Sequence, residues 1–267
     1  MGAMVIRSWP GKVVVVTGAA RGLGAALTRV FVARGAVVAQ VDRAAAPVTA
    51  AGSPHSWHHA DVADEGAVQQ LASDVIARHG HVDALVNNAG VAVSGPCEHV
   101  TTADLRWLMD VNFFGVVHAC RAFLPHLRAR PEAQVLQVVS SFAWLGCAGK
   151  GAYAASKAAV RAYSEALRAE LHGSSVGLTL LFPGPLATGL VRNARAADPL
   201  QREREAAFVD ARAVPIDRVT ARALAGMQRN AARVVVGRDY RLLDLAVRLA
   251  PAWTLAALAR LQRRLPF

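Results

Sequence analysis

At 267 residues and 54 % hydrophobic composition the chain has ample apolar material for a large core, and α/β folds of roughly 200–250 residues are routinely one unit, so a single domain is expected. No charge-free run approaches the ~18 apolar residues of a spanning helix, and MGAMVIRSWPGKV offers neither an apolar h-region nor a small-residue cleavage site, which argues against membrane spanning and secretion and for a cytoplasmic location. The formal charge of +11 rests on 27 arginines and three lysines, without zinc-finger spacing, an RNP-like aromatic motif or a Lys/Arg block of five or more, so nucleic acid is not an expected partner.

Short β-branched runs alternate with longer Ala/Leu-rich periodic segments. KVVVVT (12–17) predicts a buried strand, LGAALTRVFVARG (23–35) a helix closed by Gly35, and AVVAQVD (36–42) a second strand. A third strand near 55–62 precedes a helix around 64–80, and VDALVNN (82–88) is the fourth strand. One helix is expected within 102–130, a fifth strand at VLQVVSS (135–141), a helix at 152–171, a sixth strand at VGLTLLFPG (176–184) and a seventh at ARVVVG (232–237). Near-continuous Val/Leu/Ile strands separated by helices require a parallel sheet covered on both faces. The expected fold is therefore a Rossmann-type, doubly wound, mostly parallel seven-stranded α/β sheet, with its ligand crevice outside the carboxyl ends of the strands. Residues 1–10 are read as an extension, 11–240 as the domain and 241–267 as a tail.

Cys97, Cys120 and Cys147 lack CxxC spacing and are odd in number, so they are expected to be buried small hydrophobes rather than disulfides. The nine histidines, His58 and His59 being adjacent, show no convergent ligand set along the chain, and no structural metal is expected.

TGAARGLG (17–24) puts Gly18, Gly22 and Gly24 at the first strand-to-helix junction. There glycine permits a tight turn and close approach of backbone to a pyrophosphate, while the helix N-terminus supplies free N–H groups. Asp42 ends the second strand, where a carboxylate can accept from an adenosine ribose and repel a 2′-phosphate; a plain turn residue is the alternative. Arg21 and Arg43 pull towards the 2′-phosphate, leaving NAD favoured and NADP possible. Tyr153 and Lys157 lie one helical turn apart, and on spacing alone packing plus a solvated charge explains them as well as a reaction centre does.

Taken together, TGAARGLG, the Asp61–Val62 pair, NNAG (87–90), Asn112 in DVNFFG, the serines of VVSSFA, YAASK (153–157) and PGPLAT (183–188) resemble, in order and spacing, the short-chain dehydrogenase/reductases. The resemblance covers about residues 11–190. It implies that Asp61 and Val62 bracket an adenine, and that Asn88, Ala89 and Gly90 line the cofactor channel and steady the central strands. Leu23, Leu186 and Thr188 would contact the pyrophosphate or nicotinamide end, with Pro183 and Gly184 shaping that turn. Asn112, Ser140, Tyr153 and Lys157 would form a catalytic tetrad, Asn112 positioning a water. Ser140 is preferred over Ser141 because it stands thirteen residues before the tyrosine; the same register leaves Gln137 where the family commonly has Asn. The implied activity is NAD(H)-dependent interconversion of a secondary alcohol and a ketone or aldehyde; the alternatives are a silent dinucleotide-binding sensor or scaffold and an NADP(H)-dependent carbonyl reductase. The family also implies a homodimer or homotetramer.

FAWLGCAG (142–149) offers Phe142, Trp144 and Leu145 to line a pocket and no charged anchor, which favours a lipophilic substrate. Residues 186–214 fall at the family's mobile lid, although their alternating charges equally suit a solvated helix. The tail, broken by Pro251, predicts two short amphipathic helices that cap the substrate mouth, pack on a neighbouring subunit, or rest on an anionic membrane surface.

Overall fold

Val13–Thr17 forms β1 with every residue buried, as a continuous Val run should in a sheet covered on both faces. The computed structural model describes residues 6–45, 52–144, 146–196 and 198–262. After β1 come α1 (Gly22–Ala33), β2 (Val37–Asp42), β3 (Ser56–His59), α2 (Glu65–His79), β4 (Ala84–Asn87) and the short β5 (Val93–Ser94). There follow α3 (Thr102–Met109), α4 (Gly115–Arg128), β6 (Ala133–Val138), α5 (Gly151–Glu170) and β7 (Val176–Pro183). The described chain closes with β8 (Arg195–Ala196), α6 (Pro199–Ala211), α7 (Ile216–Gln228), β9 (Arg233–Val236), α8 (Arg238–Leu249) and α9 (Pro251–Gln262).

Seven strands make one sheet in the order β3-β2-β1-β4-β6-β7-β9, with every pairing parallel. The expected doubly wound sheet is thus present, and its order reverses between β1 and β4. The period-2 side-chain alternation of β1 divides the core. Val14 and Val16 pack with Leu27 and Phe31 of α1 and Leu224 and Met227 of α7, whereas Val13 and Val15 face Leu71 of α2, Phe123 of α4 and Val160 of α5. Ile6 and Trp9 also enter the first of these layers, the Trp9 ring meeting Phe31 edge-on at 4.8 Å.

The helix expected across 102–130 is interrupted. Asp110–Phe114 forms a π turn between α3 and α4, one residue more per turn than an α-helix allows. Its cause lies in tertiary bonding: the Asn112 carboxamide accepts from the Val91 N–H at 2.8 Å and donates to the Val91 carbonyl at 3.0 Å. The cysteines also differ from expectation. Cys120 is buried, with Asn87 and Gln137 donating to its sulfur, and Cys147 is half-buried, but Cys97 is exposed, because it opens a 3₁₀ turn outside the sheet layers. All three thiols are free.

At the amino ends of the strands the buried Asp83 carboxylate accepts from the Val13 N–H and from Arg130 Nε, each at 2.9 Å, and pairs with His81 at 3.1 Å. Asp83→Ala strands these donors and should cost about 3 kcal/mol; urea unfolding should show a lower midpoint at an unchanged slope.

Candidate active site

The crevice opens where the loops leaving β1 and β4 diverge. The Thr17 hydroxyl donates to the Val86 carbonyl and accepts from the N–H groups of Asn88 and Ala89, at 3.0 and 3.1 Å. The Asn88 carboxamide donates back to the carbonyls of Thr17 and Gly18 at 2.9 and 3.1 Å. Gly18 turns the chain at φ +65°, and a Cβ there would lie 2.8 Å from Ala89 Cα; one on Gly24 would lie 2.0 Å from the Gly18 carbonyl oxygen. The first turn of α1 holds no acid, and no side chain caps it at Arg21, so its N–H groups face the crevice with their positive potential intact.

Asp42 is fixed beside this turn, its two oxygens accepting from the N–H groups of Ala20 and Ala44 at 2.9 and 3.0 Å. Arg43 reaches across the mouth to Asp61 at 3.1 Å, an exposed pair of little energetic weight. From there a crevice of about 600 Å³ runs to the end of β7. Its end at the glycine turn is lined by Gly18, Arg21, Gly22 and Leu23, and its outer end by Asp42, Arg43, Asp61 and Val62. The floor is Asn88, Ala89 and Gly90; the far wall is Pro183, Gly184, Leu186 and Thr188. Gly24 and Asn112 stand behind the wall rather than in it.

Tyr153 and Lys157 face the crevice from one side of α5, and both are buried. Ser140, the serine thirteen residues upstream, lines the crevice with Tyr153 and its Oγ accepts from the Phe142 N–H at 3.2 Å, while Ser141 opens a 3₁₀ turn at the crevice wall. Burial pushes the Tyr153 phenol up to about 12, against a smaller opposing pull from Ser140. Burial also brings Lys157 down to about 8, its ammonium donating to the Val138 carbonyl at 3.2 Å. Asn112 uses its second amide proton on Ser156 Oγ at 3.0 Å, and Ser156 donates to the Tyr153 carbonyl at 2.8 Å. The π turn thereby holds α5 in register with the segment after β4. Gln137 is buried behind the sheet against Cys120.

Of the proposed apolar lining, Phe142 does reach the crevice and meets Tyr153 edge-on at 6.2 Å. Trp144 does not: its ring packs on Phe182 at 5.1 Å within the core, because the 3₁₀ turn directs it under the sheet. Leu145 lies outside the described residues. Opposite, Phe208 and Val209 of α6 line the crevice, and β8 pairs with β5, while most of α6 is exposed or half-buried, with only Glu205 and Ala206 fully buried. The lining residues without a sequence signal include Lys150 and Glu205, which form a buried ion pair, and Tyr240 in the first turn of α8. Neither charge belongs to a local motif, and their pairing depends on how α6 folds back.

A doubly wound parallel sheet whose glycine turn opens on a crevice with a buried tyrosine and lysine is the architecture of nucleotide-dependent oxidoreductases. The chain belongs to the short chain dehydrogenases, whose family model matches residues 12–199. It is 34 % identical over 253 residues to SadH of Mycobacterium tuberculosis, covering 91 % of this chain and 92 % of that one. It is 32 % identical over 182 residues to the 3-ketodihydrosphingosine reductase of Bacteroides thetaiotaomicron, covering 68 % and 66 %. A short chain dehydrogenase/reductase from Burkholderia phymatum, solved in complex with NAD, superposes with a TM-score of 0.80 at 25 % identity, covering 91 % of this chain and 96 % of that one. The donor set of this crevice fits such a dinucleotide: uncapped N–H groups for a pyrophosphate, and a fixed carboxylate at the ribose end.

Three tyrosines are present, and a tyrosinate absorbance titration of the chain minus that of Tyr153→Phe isolates one of them. In the cofactor-free protein that difference should titrate near 12, and saturation with NAD should bring it down by several pH units.

Proposed function

We propose that the protein is an NAD(H)-dependent oxidoreductase that interconverts a lipophilic secondary alcohol and its ketone. The observation that carries this reading is the buried Tyr153 phenol, lining one crevice with Ser140 and one helical turn from the Lys157 ammonium. A bound nicotinamide dinucleotide would supply the hydride acceptor and, when oxidised, a positive charge. Tyr153 acts as the base that takes the alcohol proton. Bringing its phenol from about 12 to near neutrality requires about 7 kcal/mol of stabilisation, more than the free phenol would need, because burial has raised the starting point. Lys157, still mostly protonated at neutral pH, contributes to it from the same helix face. Ser140 holds the substrate oxygen as charge develops. Asn112 is a positioning residue: its side chain is committed to Val91 and Ser156, and it orders the π turn behind the reacting pair.

Asp42 supports NAD over NADP, since a 2′-phosphate would meet a carboxylate already fixed by two N–H groups, while Arg43 is turned to Asp61. The apolar lid residues Phe208 and Val209 support a lipophilic substrate, as does kinship with a reductase named for a ketone, 3-ketodihydrosphingosine. We place the enzyme in the cytoplasm as a homodimer or homotetramer, in keeping with its family. The tail supports contact with an anionic membrane surface: Leu242, Leu249 and Trp253 are exposed, Trp253 by 82 %, beside Arg241, Arg248 and Arg260. Among the described residues no helix is long and apolar enough to cross a membrane.

Tyr153→Phe should keep NADH fluorescence binding and lose at least about a hundredfold in turnover, whereas Lys157→Ala should weaken both. Wild-type turnover on an alcohol panel should be higher with NAD than with NADP, and Asp42→Ala should narrow that difference. Binding without turnover on any alcohol or ketone would favour a silent sensor instead. For the tail, the full chain should co-sediment with vesicles containing anionic lipid, and Leu249→Ser with Trp253→Ser should reduce the bound fraction severalfold; equal behaviour would assign the face to a second subunit.

A further inference from the structure

The lid and the wall beneath it meet through two charges that the reaction above does not use. Lys150, the residue before α5, pairs with Glu205 of α6, their side chains only 4 % and 3 % exposed. The Lys150 ammonium also donates to Ser94 Oγ on β5 at 2.6 Å, which fixes it against swinging into the crevice. Both charges line the crevice. The other charged lining residues, Arg21, Asp42, Arg43, Asp61 and Lys157, serve the dinucleotide end or stand beside Tyr153. The same crevice has an apolar lining that includes Ala92, Leu190, Val191, Phe208 and Val209.

We infer that the Lys150–Glu205 pair is a specificity determinant that admits uncharged substrates and excludes carboxylates. The inference rests on the reading of this crevice as the site of an alcohol or ketone. A pair of opposite buried charges satisfies itself, so the wall presents no net charge to an incoming ligand. A carboxylate could be held only by drawing Lys150 from Glu205, which would leave the glutamate buried and unpaired; discrimination comes from that repulsive cost rather than from a new attraction. An uncharged ligand leaves the pair intact and gains the apolar contacts of the lid. Because Glu205 sits on α6 and Ser94 on the strand that pairs with β8, the polar contact forms only when lid and wall are together.

The test uses octanoate and octanamide, alike in length and shape but different in charge. Each is titrated by calorimetry at pH 7 into the full chain, with and without saturating NADH. Wild type should bind octanamide at least about tenfold more tightly than octanoate. Glu205→Gln, nearly isosteric, leaves Lys150 uncompensated and should raise octanoate affinity by at least about tenfold, inverting the preference. Lys150→Gln should not invert it, and the Lys150→Gln/Glu205→Gln double variant should again favour octanamide. Two wild-type results would overturn the inference without any variant: octanoate bound as tightly as octanamide, or neither ligand bound. A preference unchanged within about twofold in a folded Glu205→Gln would overturn it as well, since a structural role alone weakens both ligands together. Failure of wild type to bind NADH would count against the dinucleotide reading, while the ratio measured without NADH still decides this one.

Discussion

The arrangement depends on the stitching of two strand ends by Asn88 and Thr17. Where a parallel sheet reverses its order, the loops leaving β1 and β4 diverge while the strands stay paired, and the residues just past the ladder carry N–H and carbonyl groups without strand partners. Asn88 and the Thr17 hydroxyl take up those groups and hold the gap at a fixed width. On one side of it lie the glycine turn and Asp42, on the other the segment leading to Val91 and, through Asn112 and Ser156, to α5. The glycine turn with Asp42 and the Tyr153–Lys157 pair, which the proposed reading makes the nucleotide end and the reacting end, thus become parts of a single crevice.

At the reacting end, burial works against each group in isolation. The phenol is made harder to ionise and the ammonium, though still mostly protonated at neutral pH, easier to discharge, so the free protein does not hold the phenolate that a proton transfer requires. On the proposed reading this is what ties the chemistry to an occupied site: only when further positive charge enters does the phenolate become accessible. A solvated tyrosine would ionise more readily but without that coupling.

Much of this was legible in the chain. The unbroken Val runs specified the parallel sheet and the glycine turn its first strand-to-helix junction, while the tyrosine-to-serine spacing favoured Ser140, which lines the crevice together with Ser141. Other features were not legible, for identifiable reasons. The π turn at Asp110–Phe114 arises from the bonds of Asn112 to backbone atoms of a different segment, which helical periodicity cannot register. Trp144 read as a pocket aromatic because its loop follows a strand end, yet the first turn of that loop directs the ring under the sheet, onto Phe182. Lys150 and Glu205 are fifty-five positions apart and belong to no motif; each alone reads as a surface charge.

The distribution of ammonium groups has a practical side. Of the 30 basic side chains only three are lysines, and the structure commits all of them: Lys12 to Asp83 and Glu132, Lys150 to Glu205, and Lys157 to the crevice. The outward basicity is therefore guanidinium, which stays charged at any pH the fold survives and does not react with acylating reagents. Amine-directed chemistry on this protein would find little to attach to on its surface. Apart from the chain terminus and the partly covered Lys12, it would report on the interior, and above all on whether the crevice is open.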